Sequence, residues 1–379
     1  MSLEAYVTNL MKERNPRGFD AAFAGFLSLL EKLYLKGVRK RRARETANAV
    51  EAGIPVISVG NVTAGGTGKT PCILMIAELL LKEGKKPAII SRGYKSGLEK
   101  KGGVVSDGKS ILVSQKEAGD EPYMMALRLP TVPVLVGKDR KVSAKKAVAL
   151  GADVLLLDDG FQYWGLDRDR DIVLIDCMNP FGYFHALPRG LLREPLTALG
   201  RASLFLLTKS DKASDEEKLK IKRVLRHYGR TTPILETAHS PSKIVPYETW
   251  RKRIHEGELP AVSGKKAFLV SGIGNPASFA ETASEAGLVR TGDMSFPDHH
   301  AYTDEDVRKA IKEAERSGAD LIAVTEKDAV KLMNLESVRN SKMPFYVLEI
   351  EMTIGQNSAR RQGQIYGSGN QCGKGSDQK

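Results

Sequence analysis

Short apolar runs alternate with amphipathic stretches through the first 230 residues of the chain. Residues 55–61, 87–91, 132–137, 154–158, 172–176 and 204–208 are near-continuous apolar runs, the pattern of strands buried on both faces. Between them, residues 70–82 set Ile73, Ile76, Ala77 and Leu80 at helical spacing, and 139–150 and 214–228 carry a similar period. Buried strands alternating with helices predict an α/β fold with a mostly parallel sheet covered on both sides. In such sheets ligands sit beyond the carboxyl ends of the strands, so the residues that end each strand are the ones to inspect.

From about 232 to 260 the pattern loosens into an alternation at 243–247 and a charged stretch around 250–258, which predicts a linker or hairpin over 233–262. A second strand–helix series at 267–272, 276–286, 304–317, 321–325 and 344–350 predicts a smaller α/β domain over 263–354. Beyond Met352 the chain turns to Gly, Gln, Ser and Asn, so 355–379 is expected to be a disordered tail. No internal repeat is evident.

The 379 residues suffice for two domains, and 41% hydrophobic residues is a globular composition. Cys72, Cys177 and Cys372 stand too far apart for a disulfide framework or a metal cluster, which suits a reducing cytosol. No run approaches the ~18 apolar residues of a spanning helix, and the N-terminus lacks the basic–apolar–small order of an export signal.

The net charge of +12 points to an anionic partner: nucleic acid, a membrane surface or a phosphorylated substrate. Residues 18–38, rich in Phe, Leu and Ala, lead directly into Arg39, Lys40, Arg41, Arg42 and Arg44. An apolar helix beside a basic cluster is what an interfacial anchor needs, so 1–50 reads as a helical, membrane-associating segment. The plainer alternative is a helix packed on the core with a solvated basic end. Aromatics are only 6%, and the basic cluster abuts an apolar helix; both argue for membrane over nucleic acid.

Residues 58–71 read Ser-Val-Gly-Asn-Val-Thr-Ala-Gly-Gly-Thr-Gly-Lys-Thr-Pro, a phosphate-binding loop between a strand and a helix. Backbone N–H groups of Thr63, Ala64, Gly65, Gly66, Thr67 and Gly68 are expected to curl around a polyphosphate, with the helix N-terminus adding positive potential. Lys69 would reach the terminal phosphates and Thr70 would ligate Mg²⁺. Thr63 stands where the usual pattern has its first glycine, so the loop is an altered one. Residues 51–232 are thereby the nucleotide-binding domain, a P-loop three-layer α/β/α core.

Asp158 and Asp159 end the apolar strand at 154–158 within Asp-Asp-Gly-Phe-Gln, where an acidic residue of a phosphate-loop protein helps to hold the nucleotide's metal. Asp120 and Glu121, in Gly-Asp-Glu-Pro before a helical run at 123–129, suit the positive end of a helix and need no other role on their own. Phe-Pro-Asp-His-His-Ala-Tyr at 296–302 holds Asp298 and His299, and an Asp–His pairing can fix an imidazole tautomer and raise its basicity. Arg189 and Arg193 flank a non-regular turn in Leu-Pro-Arg-Gly-Leu-Leu-Arg-Glu-Pro; Arg92 and Arg140 follow strands, and the four could face one cleft as phosphate-binding forks. A rival reading is a GTPase switch at the membrane, on Thr208-Lys209-Ser210-Asp211. Against it, Leu157 occupies the position where the Asp-x-x-Gly element would begin.

Together these segments resemble the tetraacyldisaccharide 4′-kinase family of lipid A biosynthesis, in the family's order and across about 300 residues. Thr63 is then the family's own form of the loop. The resemblance implies two α/β/α domains joined by a strand linker. It also implies transfer of the ATP γ-phosphate to the 4′-hydroxyl of a tetraacylated glucosamine disaccharide 1-phosphate, at the cytoplasmic face of the inner membrane. Carried over, Lys69 and Thr70 hold phosphate and Mg²⁺, with Asp159 and Glu194 near the metal. Asp120, paired with His299, accepts the acceptor's proton, and Asp158, Glu121, Arg193 and Asp298 support the site.

Overall fold

A computed structural model describes residues 3–13, 15–252, 261–298 and 300–355. The expected disordered tail and His299 therefore lie outside the described residues, Gly355 excepted. Two helices open the chain, α1 (Leu3–Lys12) and α2 (Gly18–Ala47). The apolar stretch and the basic cluster, read separately in the sequence, are one continuous 30-residue helix. Then come β1 (Val56–Asn61), α3 (Lys69–Lys82), β2 (Pro87–Ser91), β3 (Gly103–Asp107), α4 (Gln115–Ala118), α5 (Asp120–Arg128), β4 (Pro133–Val136) and α6 (Arg140–Ala149). The first series closes with β5 (Val154–Asp158), β6 (Arg170–Asp176), β7 (Leu204–Thr208) and α7 (Asp215–Gly229). A long strand, β8 (Ile234–Pro246), and a short helix, α8 (Tyr247–Arg251), precede the second series. That series is β9 (Lys266–Ser271), α9 (Pro276–Glu285), β10 (Val289–Ser295), α10 (Asp304–Arg316), β11 (Leu321–Thr325), α11 (Glu326–Leu332), α12 (Glu336–Arg339) and β12 (Phe345–Ile354).

One hydrogen-bonded sheet runs through both series, in the order β10-β9-β11-β12-β8-β7-β6-β1-β5-β2-β4-β3. Of the six strands read as apolar on both faces, β1, β2, β5 and β7 are buried along their whole length, and β4 and β6 except at their ends. Among the strands that sequence pattern did not mark, β3 and β10 are the outermost of the sheet. Each is only partly buried and mixes polar with apolar residues, so neither leaves an apolar run.

Of the stretch read as a linker or hairpin, Ile234–Pro246 is β8, a single 13-residue strand, α8 follows it, and 253–260 lie outside the described residues. The first residues of β8 pair parallel to β7, and the remainder pairs antiparallel to β12, with a bulge between Glu349 and Ile350. Half-buried positions and Pro241 erased the apolar signature there. A cluster of buried apolar side chains extends from Ile73, Ile76 and Met125 to Val245, Val324 and Val347, so both series share packing.

An ion triad also crosses between the series. Arg128 of α5 lies 2.9 Å from Glu326 of α11 and 3.4 Å from Glu349 of β12, all three largely enclosed. Burial, and the charge of Glu349, hold the Glu326 carboxyl up at about 7 despite Arg128. A carboxyl raised above its unfolded value makes the folded state bind extra protons, so its contribution to stability is lost as pH rises from about 4.5 through 7. Arg128→Met removes the compensating cation and widens that window. The expected result is a loss of about 3–5 kcal/mol in urea unfolding at pH 8, shrinking toward pH 5 where Glu326 is neutral; a deficit independent of pH would refute this account.

Candidate active site

The phosphate loop is held from both ends. Asn61, buried at the end of β1, donates to the Thr63 carbonyl at 2.7 Å, and Ala64 N–H donates to the Leu191 carbonyl at 2.7 Å. Thr63 bridges antiparallel to Leu192, and Arg193 N–H donates to the Val62 carbonyl at 2.7 Å, so the strand exit is laced to the segment before Glu194. Thr63 is thus in extended backbone and absent from the positive-φ residues, which is why a β-branched side chain serves there. The freedom of glycine is used further on, at Gly65 (φ 117°) and Gly68 (φ 85°). Thr67 Oγ1, buried within the loop, has no hydrogen-bond partner.

Lys69 opens α3 with its Nζ 3.3 Å from Asn61 Oδ1 and 3.7 Å from Asp159 Oδ1. Thr70 follows in the first turn. Register places Asp158 beside Val59 of β1, and Ser91, at the end of β2, donates to Asp158 Oδ2 at 2.8 Å. Asp159 takes a left-handed backbone at φ 48°, a conformation that a non-glycine residue holds only against strain. Arg193 Nη1 lies 2.8 Å from each of its carboxylate oxygens, and Arg140 donates to its carbonyl at 3.0 Å.

The adjacent aspartates are driven in opposite directions. Burial pushes Asp158 up to about 6, helped by the charges of Glu121 and Asp159 and resisted by Lys69 and the Ser91 hydroxyl. Burial acts on Asp159 too, but Lys69 and Arg193 overcome it and hold that carboxyl at about 2. One carboxyl is held down and its neighbour raised, the pattern that separates roles in a site.

The second series of elements reaches this place. Asp120 and Glu121 occupy the first turn of α5, where Gln115 Nε2 donates to Asp120 Oδ1 at 2.5 Å. Lys327 of α11 lies 3.6 Å from Glu121 Oε1 and 3.1 Å from Asp298 Oδ1, so the Phe-Pro-Asp segment meets the start of α5 through one ammonium. His299 lies outside the described residues. His300 pairs instead with Asp306 at 3.1 Å and stacks on Phe296, which makes it part of the scaffold at the start of α10.

The expected cluster of four arginines does not converge. Arg193 is on Asp159; Arg140 is buried beneath Tyr163; Arg92 pairs with Glu99 at 2.7 Å and leans on Tyr94. Arg189 is half-buried, with its Nε unpartnered. Asp159 draws two of the four: Arg193 binds its part-exposed carboxylate and Arg140 its carbonyl. Glu194 is enclosed: Arg201 reaches both its oxygens at 2.9 Å, and Gln162 Nε2 donates to Oε1 at 3.0 Å. Sequence reasoning missed Asn61, Ser91, Gln162, Arg201 and Lys327. Asn61 and Gln162 lie inside the quoted segments and Ser91 ends the run at 87–91, whereas Arg201 and Lys327 carry no local signal and are placed by the fold.

Among the described residues no three His, Cys, Asp or Glu side chains gather as a metal cage. An ion such as Mg²⁺ keeps several waters and takes one or two carboxylates together with substrate phosphates.

A family model described as tetraacyldisaccharide-1-P 4′-kinase, LpxK, matches residues 23–364. A protein named tetraacyldisaccharide 4′-kinase from Halothermothrix orenii is 40% identical over 365 residues, covering 93% of this chain and 94% of its own. One of the same name from Syntrophus aciditrophicus is 38% identical over 367 residues, covering 93% and 96%. The solved structure of LpxK from Aquifex aeolicus in complex with ATP superposes with a TM-score of 0.70 at 28% identity, over 91% of this chain and 98% of that one.

The raised Asp158 has a measurable consequence. Its folded value of about 6 exceeds the unfolded 3.8, so its contribution to stability is present at low pH and lost as pH rises through 6. Asp158→Asn therefore stabilises the folded protein at pH 8, on the order of 2 kcal/mol, with the gain fading toward pH 4. Thermal unfolding at the two pH values reads the difference; equal or lower stability of the variant at pH 8 would contradict it.

Proposed function

This chain belongs to the tetraacyldisaccharide-1-P 4′-kinase family, and from that premise we propose how its residues do the work. It is a kinase that transfers the γ-phosphate of ATP to the 4′-hydroxyl of a tetraacylated glucosamine disaccharide 1-phosphate in lipid A biosynthesis. The observation that carries the mechanism is the placement of Lys69 between Asn61 and Asp159, with Asp158, Glu121, Lys327 and Asp298 following in sequence away from it.

Phosphoryl transfer passes through a loose transition state, so placement and charge neutralisation dominate. Lys69 leaves Asp159 to meet the transferring phosphate, and Arg193 keeps Asp159 ionised when it does. Bound Mg²⁺, held by Thr70 and Asp159, would neutralise charge on the phosphates. Glu194 stands behind that position, fixing Gln162 and Arg201 through the bonds already described. Asp120 accepts the proton of the acceptor hydroxyl and His299 holds it in place. Glu121 and Asp298 share Lys327 and so bring the two sides of the site together. Arg92 and Arg189, not committed to Asp159, serve the anionic acceptor. The GTPase reading lapses with family membership.

The acceptor is a lipid, and α2 suits its approach. Phe19, Phe26, Leu29 and Leu33 are exposed on α2 at spacings that share one face, and Lys36 and Lys40 continue that face. On the other side, Ala24 and Leu27 pack with Leu10 of α1. No described helix is long and apolar enough to cross a membrane. We therefore place α2 flat on the cytoplasmic face of the inner membrane, its aromatic face in the acyl boundary and its basic end among anionic head groups.

Two experiments test these proposals. Purified protein given γ-labelled ATP and a lipid disaccharide 1-phosphate should label the 4′ position, and Lys69→Ala should abolish labelling. In the same assay Asp120→Ala with His299→Ala should lose little more than the worse single variant, whereas additive losses would break the pair. For the membrane, Phe26→Glu with Leu33→Glu should weaken binding to anionic vesicles at least about tenfold, since two apolar side chains no longer enter the boundary; unchanged sedimentation with vesicles would overturn that face.

A further inference from the structure

The phosphate loop has a neighbour to which no role has been given. His239 sits on β8 opposite Met352 of β12, in the ribbon that follows the first series. Its ring comes so close to Gly68 that a Cβ there would lie 2.7 Å from His239 Cε1 and Nε2. That Nε2 is buried and has no hydrogen-bond partner. Thr67 Oγ1, one residue before Gly68, is buried and unpartnered as well. A buried polar atom without a partner destabilises the protein that carries it, and such atoms are rare unless something else supplies the bond.

The sheet order says what that something is. Asp158, Ser91 and Asp120 lie on the β5–β2 side of the loop, the side assigned to the acceptor hydroxyl. On the other side, β6, β7 and β8 run outward in order from β1, and His239 lies on β8 against the loop itself. The charged groups around it are Lys209, Asp211, Asp176 and Lys212. Lys209 is already bound to Asp176 at 2.5 Å. Burial, with Lys209 nearby, lowers the imidazole's proton affinity, so at neutral pH it is an uncharged ring carrying one N–H.

We propose that His239 is a nucleotide-contacting residue whose Nε2–H donates to a phosphate oxygen of ATP at the Gly68 edge of the loop. The orphaned nitrogen is then the protein half of a bond that substrate completes, and the imidazole ties the phosphates to the β8–β12 ribbon. The inference rests on the loop holding the nucleotide, so Lys69→Ala is measured beside it; if that variant binds ATP as well as the wild type, the loop assignment fails and not the histidine.

The test is equilibrium binding of ATP, ADP and inorganic tripolyphosphate to full-length protein, with no acceptor and no turnover, alongside thermal unfolding without ligand. His239→Leu should weaken all three ligands about tenfold, the effect of one lost hydrogen bond to a charged group. It should leave the ligand-free protein as stable as wild type or more so, because the unpaired nitrogen is gone. His239→Gln, which keeps an N–H donor, should restore binding to within about threefold. ATP affinity of the Leu variant within twofold of wild type would overturn the proposal. So would unaltered tripolyphosphate binding, a Gln variant no better than Leu, or stability falling together with affinity, the mark of a merely structural residue.

Discussion

The site depends on how one carboxylate beyond the end of β5 is neutralised. Asp159 follows the end of β5 in a left-handed conformation, and Lys69 and Arg193 converge on it. Two cations on one carboxylate draw the loop carrying Lys69 and the segment carrying Arg193 to one point. The backbone bonds from Ala64 to Leu191 and from Arg193 to Val62 reinforce that convergence. Asp158, one residue earlier, faces Ser91 instead and lacks a direct cationic partner as close. The contrast between a carboxyl at about 2 and one at about 6 follows from that single step along the strand.

Topology explains how a second set of elements can serve the same point. Because β8 pairs with β7 on one side and β12 on the other, the sheet passes from the first series to the second without a break. The parallel strand ends of the first series line one edge, and α11 follows β11 so that Lys327 lies against the start of α5. The Arg128 triad adds a second tie across the same boundary. A triad of this kind contributes little net stability against an apolar equivalent, but removing one member is costly, so it specifies an arrangement more than it strengthens one.

Much of this was legible in the sequence because it is local. A glycine-rich loop between an apolar run and a helical period, and two aspartates ending an apolar run, announce themselves wherever they occur. The inner strands buried on both faces were equally plain, since such burial demands unbroken apolar residues; β8, also inside the sheet, was not, because most of its positions are only half-buried. The outer strands β3 and β10 were not, because half of each faces solvent. The arginines show the deeper limit. Four of them following strands or turns suggested a common phosphate-binding fork, yet only the fold reveals that Arg140 and Arg193 answer Asp159 while Arg92 answers Glu99. Which cation serves which anion is a tertiary fact. Lys327 makes the same point: nothing near it in sequence distinguishes it from the other lysines of the chain.

The N-terminal helix cannot be separated from this chemistry. Tyr34 donates its hydroxyl to the Arg193 carbonyl at 3.1 Å, and Arg41 donates to the Gln162 carbonyl at 2.8 Å. Glu31 accepts from Ala186 N–H at 2.6 Å and contacts His185 Nδ1 at 3.1 Å, in the turn that leads to Arg189. The face of α2 opposite its exposed aromatic residues is thus bound to the very segment that holds Arg193 and Glu194. A helix that only tethered the protein to a surface would need no such bonds. If α2 rests on a bilayer as proposed, a helix that also braces the segment holding Arg193 and Glu194 would set that segment at a fixed height above the lipid, within reach of an acylated sugar.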